Sequence, residues 1–180
     1  MDITELAIAA GHGDRGAATE LIRATQRDVM RFLAPLTTAA DVEDLTQETY
    51  LRALRGLPDF AGRSSARTWL FSIARRVAAD HVRHATRRPR VAAVPDWQVV
   101  ADAAGSAHAP RFDEQYALAD LLVALTADRR EAFVATQMLG MSYAEAAEVC
   151  DCPVGTIRSR VARAREDLVA ALAERESRSA

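Results

Sequence analysis

Apolar residues recur at helical spacing along most of this chain, whereas the sustained alternation that is typical of strands is absent. Residues 17–34 show the helical pattern, and Pro35 would end that helix because proline lacks an amide hydrogen. A second helix is predicted at Asp41–Arg55, where acidic residues fill the first turn. A third is predicted at Ala66–Arg87, before Pro89. The pattern therefore predicts an all-α fold.

Residues 89–111 differ from the rest of the chain, because they contain three prolines and a glycine among small residues without a clear period. This composition predicts a linker between two small helical domains, residues 1–88 and 112–180. Helical periodicity returns after the linker, with helices expected around 117–125 and 132–139.

The segment Met141–Arg165 has the length and spacing of a helix-turn-helix. Ser142 and Glu145 form a capping box, and Pro153 would occupy the first position of the second helix. Val149, Ile157 and Val161 are expected inside the unit, with small residues, Ala146 and Ala147, where the helices cross. The second helix would point Gly155, Thr156, Arg158, Ser159 and Arg160 outward, with Arg163 and Arg165 beyond them. Arginine and hydroxyl side chains bind phosphates and base edges. A helical hairpin with a solvated arginine face is the alternative.

The formal net charge is only −2, but the cations, all of them arginine, are unevenly placed. Residues 59–90 hold 8 Arg and 2 acidic residues, a net charge of +6, and the stretches on either side are net negative. Such a block predicts a local contact with a polyanion. The hydroxyl-rich loop Phe60–Ala66 and the following Trp69 suit a nucleic-acid backbone with an unstacked base. Trp69 as a core residue is the more frequent alternative.

The predicted helix Ala66–Arg87 would have two faces. Its buried face is expected to consist of Trp69, Leu70, Ile73, Ala74 and Val77. Its opposite face would hold Thr68, Ser72, Arg75, Arg76, Arg83 and Arg87.

The helix Asp41–Arg55 changes from acidic to basic along its length. This order complements the helix dipole and allows pairs four residues apart, such as Glu48 with Arg52. Two interpretations remain open, a self-stabilised solvated face and a docking surface for a basic partner. Charge pattern alone slightly favours the first.

Signals of catalysis, metal binding and membrane insertion are weak. The longest apolar runs are far shorter than the roughly 20 residues of a membrane span, and no secretory signal is visible. Asp80, His81 and His84 fit the flank of a helix better than a metal site, and Cys150 with Cys152 lacks the second ligand pair of structural zinc. We therefore expect no catalytic residue, metal or cofactor, and a reducing cytoplasm as the compartment.

Three segments together resemble the extracytoplasmic-function (ECF) sigma factors of bacterial RNA polymerase. Asp41–Leu54 is similar to the family's polymerase-docking helix. Phe60 with Ser65–Asp80 is similar to its promoter-melting segment, which also reads the −10 element. Cys152–Arg165 is similar to its −35-reading helix. The details are most similar to the actinobacterial sigma factor C group, although Arg76 stands where the family often has Asn.

The resemblance implies that residues 1–88 form sigma region 2 and residues 112–180 form sigma region 4. The partners that it implies are promoter DNA and core RNA polymerase, the latter bound through the largest-subunit clamp and the flap. It implies no membrane contact. Whether an anti-sigma factor is a further partner is left open. The residues implied to bind core polymerase are Asp41, Asp44, Gln47, Glu48 and Leu51. Those implied to bind −10 DNA are Phe60, Arg63, Ser64, Ser65, Thr68, Trp69, Arg75, Arg76, Asp80 and Arg83. Those implied to bind −35 DNA are Pro153, Val154, Gly155, Thr156, Arg158, Ser159, Arg160 and Arg163.

Two other classes are weighed against a sigma factor. A stand-alone helix-turn-helix regulator would bind a palindromic site as a dimer, which would leave the acidic helix and the base-trapping loop without a purpose. An enzyme acting on nucleic acid would need a metal or nucleophile constellation that the sequence does not show.

Overall fold

The computed structural model describes residues 2–86 and 121–179, and these form two compact units, one in each range. Every regular element in the described residues is helical. The predicted all-α class is therefore confirmed. The predicted linker at 89–111 and the predicted domain boundaries at residues 88 and 112 lie outside the described residues.

The described part of the N-terminal unit contains four α-helices joined by short turns. They are α1 (Ile3–Gly11), α2 (Arg15–Leu33), α3 (Val42–Gly56) and α4 (Ala66–Thr86). Helix α2 gives way at Leu33 to a 3₁₀ turn that contains Pro35, as the sequence predicted. Helix α3 starts at Val42, one residue later than predicted, and α4 starts at the predicted residue.

Helix α1 was missed by the reading of periodicity, although its start is encoded locally. Asp2 and Glu5 form a capping box, in which the Glu5 carboxylate accepts the Asp2 amide at 2.8 Å. Leu6 and Ala7 are buried and pack with residues of α2 such as Leu21. The Asp-x-x-Glu spacing before an apolar run was the available signal.

The interior of the N-terminal unit is centred on two fully buried rings. Phe32 of α2 and Phe71 of α4 meet edge to face with their ring centroids 5.3 Å apart. Such aromatic pairs add to the free energy of burying their area. Leu33, Leu70 and Val77 are buried in the same unit, so α4 lies with one face against the other helices.

One buried polar pair connects α2 with α3. The Thr25 and Tyr50 hydroxyl oxygens lie 2.7 Å apart, and the Thr25 hydroxyl also donates to the Leu21 carbonyl at 2.7 Å. Since the Thr25 proton is used there, Tyr50 donates to Thr25. Burial raises the pKa of Tyr50 to about 12.

The described part of the C-terminal unit begins with a helical turn at 121–124. It continues with α5 (Ala127–Phe133), a π-helical turn (Val134–Met138), α6 (Tyr143–Cys150) and α7 (Val154–Ser179). Of the helix expected around 117–125, the structure describes the residues from 121 onward. The helix expected around 132–139 corresponds to the end of α5 and the π-helical turn that follows it.

The predicted helix-turn-helix is formed by α6 and α7. Ser142 Oγ accepts the Glu145 amide at 3.2 Å, and the Glu145 carboxylate accepts the Ser142 amide at 2.8 Å, so the capping box is confirmed. Asp151 ends α6 in the left-handed conformation, with φ of 51°. The placement of Pro153 inside the helix was wrong by one residue. Its carbonyl accepts the amides of the next turn, and α7 starts after it.

The predicted interior of this motif is also confirmed. Ile157 and Val161 of α7 are buried, as is Val149 of α6. Ala146 and Ala147 of α6 are buried as well, and side chains this small let two helices approach closely.

Replacing Phe71 by alanine should destabilise the N-terminal unit by about 3–5 kcal/mol, because the change leaves a cavity beside Phe32. Urea unfolding followed by circular dichroism measures this. Val82→Ala on the same helix, where the side chain is 47% exposed, is the control and should change the free energy of unfolding by less than about 0.5 kcal/mol. Equal effects of the two changes would contradict the assignment of the core.

Tyr50 should make the N-terminal unit less stable at alkaline pH. The pKa of Tyr50 is raised from 10.0 to about 12, so the unfolded chain releases the proton first as the pH rises. The stabilisation that the raised pKa of Tyr50 gives to the folded state is complete below pH 10. Between pH 10 and pH 12 it falls by about 1.4 kcal/mol for each pH unit. Unfolding of the wild type and of Tyr50→Phe at several pH values tests this, since the variant should lack this component. Parallel pH profiles would contradict it.

Candidate functional sites

The outward face of α3 is acidic at its start and holds the residues predicted to bind core polymerase. Asp44, Gln47 and Leu51 are exposed, and Leu51 shows 49% of its surface. Asp41 and Glu48 are half-buried because they also bond within the fold. Asp41 accepts from His81 Nε2 at 3.2 Å and from the Thr38 hydroxyl. The five predicted residues therefore divide into three that are free to contact a partner and two that are held by neighbours.

An ion-pair network joins this face of α3 to α4. Arg52 donates through Nε to Glu48 at 2.7 Å and through a terminal nitrogen to Asp80 at 2.8 Å. Asp80 also pairs with Arg83. The hydrogen bond from Arg52 is the main cause that lowers the pKa of Asp80. Asp80 was predicted to bind −10 DNA. In the structure its carboxylate pairs with Arg52 of α3, so the side chain does not project alone into solvent.

An apolar groove lies beside the acidic face, between α2 and α3. It has a volume of about 330 Å³, and Ile22 and Gln26 of α2 line it together with Leu51 and Leu54 of α3. Leu54 is 41% exposed. Ile22, Gln26 and Leu54 were not among the predicted site residues. The three-residue spacing of Leu51 and Leu54 on an otherwise polar face was the signal for this groove.

The hydroxyl-rich loop before α4 is anchored at its end. Ser65 Oγ accepts the Thr68 amide at 3.1 Å and so caps α4. Thr4 of α1 accepts the Ala66 amide at 3.2 Å through its hydroxyl oxygen. Gly62 has φ of +64°, a left-handed conformation that glycine adopts at less cost than residues with a side chain. The missed helix α1 therefore helps to position the loop.

Phe60 and Trp69 lie together beside this loop. Their ring centroids are 5.0 Å apart, and both side chains are half-buried against a cluster that includes Leu57. A Cβ atom on Gly56 would lie 3.3 Å from the Trp69 ring, so glycine there leaves room for the indole. Trp69 is thus partly a core residue, and part of it remains exposed.

The faces of α4 are close to the prediction, but three residues depart from it. Thr68 is only 2% exposed and shares a hydrogen bond with the Ser65 hydroxyl at 2.8 Å, so its predicted place on the outer face was wrong. It turns inward because it lies one turn before the buried Phe71. Ile73 is half-buried, as Trp69 is. Arg63, Ser65, Arg76 and Arg83 are exposed, whereas Ser64 and Arg75 are half-buried. Arg87 lies outside the described residues.

The first turns of α7 form an exposed surface. Beyond Gly155's two chain neighbours and the adjoining backbone of its own helix, no atom lies within 4 Å of the position a Cβ would take there, so a ligand can approach this turn closely. Ser159 donates its hydroxyl to the Thr156 carbonyl at 2.9 Å, and Thr156 is half-buried. The exposed residues in this region are Pro153, Val154, Gly155, Arg158, Ser159 and Arg163.

Arg160 does not project freely. Its side chain is 21% exposed and donates to Asp128 of α5 at 2.6 Å and to Cys152 Sγ at 3.5 Å. The prediction that it points outward with Arg158 was therefore wrong. Residue 160 flanks the buried Ile157 and Val161, which directs it along the protein surface.

Within residues 2–86 and 121–179, no group of three His, Cys, Asp or Glu side chains is arranged to hold a metal ion. His81, considered above as a ligand, pairs with Asp41. In the part of the chain that the structure describes, none of the helices combines the length and the apolar character that a membrane span requires.

Two family models match the chain. The model described as Sigma-70 region 2 matches residues 21–88, and the model described as Sigma-70, region 4 matches residues 115–168. The matches fall on the two units separately.

The chain is also similar to curated proteins and solved structures over most of its length. It is 51% identical to the probable RNA polymerase sigma-C factor of Mycobacterium bovis, covering 93% of this chain and 90% of that protein. It is 31% identical to the ECF RNA polymerase sigma-E factor of Haemophilus influenzae, covering 86% of each. CnrH in complex with the cytosolic domain of CnrY matches with a TM-score of 0.69 and 27% identity, covering 96% of this chain and 99% of that one. RpoE in complex with the anti-sigma factor NepR from Bartonella quintana matches with a TM-score of 0.67 and 29% identity, covering 83% of this chain and 92% of that one.

Proposed function

This chain belongs to the ECF sigma factors of bacterial RNA polymerase, as its three segments had indicated, and we propose how its surfaces divide the work of that family. It binds core RNA polymerase, recognises the −10 and −35 promoter elements and promotes DNA melting. The observation that supports the division best is that the N-terminal unit exposes an acidic face on α3, whereas the C-terminal unit exposes an arginine face on α7.

Core polymerase docks on the outward face of α3. Asp44, Gln47 and Leu51 make the contacts, because they are exposed. Asp41 and Glu48 contribute charge to the same face, and His81 and Arg52 hold their carboxylates in place. A basic and partly apolar partner surface, such as the largest-subunit clamp, complements this combination of acids and leucine. The flap is the expected partner of the C-terminal unit.

The loop at 60–65 and the start of α4 trap an unstacked base of the −10 element. Unstacking a base costs a few kcal/mol, which a pocket and cationic contacts must offset. Phe60 and Trp69 offer partly exposed rings, while Arg63, Ser64 and Ser65 lie in the loop. Arg75, Arg76 and Arg83 give α4 its positive charge toward the displaced strand. Thr68 supports the loop through its hydrogen bond with the Ser65 hydroxyl, and the ion pair with Asp80 orients Arg83.

The helix-turn-helix inserts the start of α7 into the major groove at the −35 element. Arg158 and Ser159 read base edges, and the open backbone at Gly155 allows a close approach to the duplex. Pro153, Val154, Thr156 and Arg163 border the same contact.

The protein acts in the cytoplasm as a specificity subunit without catalysis of its own, and polymerase supplies the chemistry. Region 2 occupies residues 1–88 and region 4 occupies residues 112–180, joined by a linker at 89–111. CnrH in complex with the cytosolic domain of CnrY and the sigma factor RpoE in complex with the anti-sigma factor NepR are both similar to this chain in fold, and the second supports an anti-sigma factor as a further partner.

Transcription in vitro tests this proposal. Purified core polymerase transcribes a library of promoter fragments from the source genome, with and without the protein. Initiation that depends on the protein and shares one −35/−10 pair supports the proposal and defines the motif. If core does not bind the protein, and the protein instead dimerises on a palindromic site, the stand-alone regulator is the better account.

Docking on core should depend on the outer face of α3. Asp44→Ala combined with Gln47→Ala should weaken binding to core polymerase by about tenfold or more, since exposed polar contacts to a partner are lost. Fluorescence anisotropy of the labelled protein measures this. Glu43→Ala, an exposed acid on the same helix that was not predicted to bind, is the matched control. Equal losses in both variants would indicate only a general charge effect.

Reading of the −35 element should depend on Arg158. Arg158→Ala should lower initiation at promoters with the intact −35 element by about 5- to 150-fold, as a lost base contact of about 1–3 kcal/mol implies. Core binding should not change. Arg175→Ala removes the same charge about 25 Å further along α7 and should have little effect. Loss of core binding by Arg158→Ala would contradict this role.

A further inference from the structure

An ion pair ties the recognition helix to the helix that precedes the motif. Asp128 lies in the first turn of α5, and its carboxylate accepts a terminal nitrogen of Arg160 at 2.6 Å. Another nitrogen of Arg160 reaches Cys152 Sγ, in the turn of the motif, at 3.5 Å. The side chain of Arg160 is 21% exposed, against 60% for Asp128. The guanidinium is therefore held at two points beside the helix.

This pair sets the charge of the surface that would meet DNA. Arg158 and Arg163 are exposed on α7, and no ion pair is found for either among the described residues. Arg160 brings a third cation within two residues of Arg158, but Asp128 neutralises it and fixes its direction. An arginine that is free at such a surface takes a phosphate, and a phosphate contact raises affinity without reading the sequence.

We propose that Asp128 is a positioning residue that sets the specificity of −35 recognition, by holding Arg160 away from the DNA phosphates. The inference rests on the proposed −35 role of α7. With Arg160 held, binding depends more on base contacts from Arg158 and Ser159 than on backbone charge. Base contacts fix the position of α7 on the correct element, whereas on random DNA the helix can shift until a released Arg160 reaches a phosphate. Asp128 therefore lowers affinity for random DNA more than affinity for the correct element. It acts through Arg160 and reads no base itself.

The test uses the full chain in complex with core polymerase. Binding is measured on a duplex that holds the −35 element defined by transcription and on a scrambled duplex of equal length, from 50 to 200 mM salt. Asp128→Asn removes the charge and keeps the shape of the side chain. Asp151→Asn is the matched control, because Asp151 is an exposed acid in the turn directly before α7 and asparagine also tolerates its left-handed conformation.

Asp128→Asn should bind the scrambled duplex several-fold more tightly than Asp151→Asn at 50 mM salt. One added phosphate contact should steepen the dependence of log affinity on log salt by about 0.9, which is about a 3.5-fold larger loss between 50 and 200 mM. The ratio of affinities for the −35 and scrambled duplexes should fall. A role in supporting the helix alone would weaken binding and leave the salt slope unchanged.

The decisive comparison measures the effect of Asp128→Asn in a protein that already carries Arg160→Gln. If Asp128 acts through Arg160, adding Asp128→Asn to Arg160→Gln should change neither the salt slope nor the specificity ratio. An Asp128→Asn effect of the same size in that background overturns the proposal, and so do equal effects of Asp128→Asn and Asp151→Asn. So does weaker binding of Asp128→Asn to both duplexes. If the wild-type complex does not distinguish the two duplexes at all, the proposed −35 role itself fails, and this result is separate from the others.

Discussion

The N-terminal unit depends on the burial of one face of α4 against α2 and α3, with Phe71 at its centre. Phe71 meets Phe32 edge to face and is fully buried, so α4 cannot rotate about its axis without opening a cavity. This constraint decides which way the rest of the helix points. The arginines Arg76 and Arg83 are left in solvent, whereas Asp80 and His81 are turned toward α3. The two proposed surfaces of the unit are therefore set by one packing contact.

Core packing also fixes the rotation of a helix in the C-terminal unit, where the residues involved are smaller. Ala146 of α6 is fully buried, and a side chain this small permits the close approach of α6 and α7 around the buried Ile157. Once Ile157 faces inward, its neighbour Arg158 must face outward, and Arg160 must lie on the flank beside Asp128. The difference between a side chain free for DNA and one engaged within the protein thus follows from the helix rotation that the core requires.

The features that the sequence predicts correctly are those encoded by neighbouring residues. The helix start at Ala66, the capping box of Ser142 with Glu145 and the turn before α7 all depend on residues within a few positions of one another. The division of α4 into faces failed at Thr68, because a hydroxyl suggests solvent while the helical position faces the core and Ser65 supplies the hydrogen bond. Helix α1 was missed because periodicity over nine residues is weak, although its Asp2 cap was readable.

The sequence by itself determined the helical class, the helix ends, the basic block and the family, because periodicity, caps and motifs are properties of neighbouring residues. The tertiary structure alone decided which polar groups from distant parts of the sequence are partners. Arg52 meets Asp80 across 28 positions, Arg160 meets Asp128 across 32 and Thr4 meets the Ala66 amide across 62. No local pattern encodes such pairs, since they arise only when buried faces bring distant segments together. For that reason the sequence could name Arg158 and Arg160 alike, while packing leaves one exposed and engages the other.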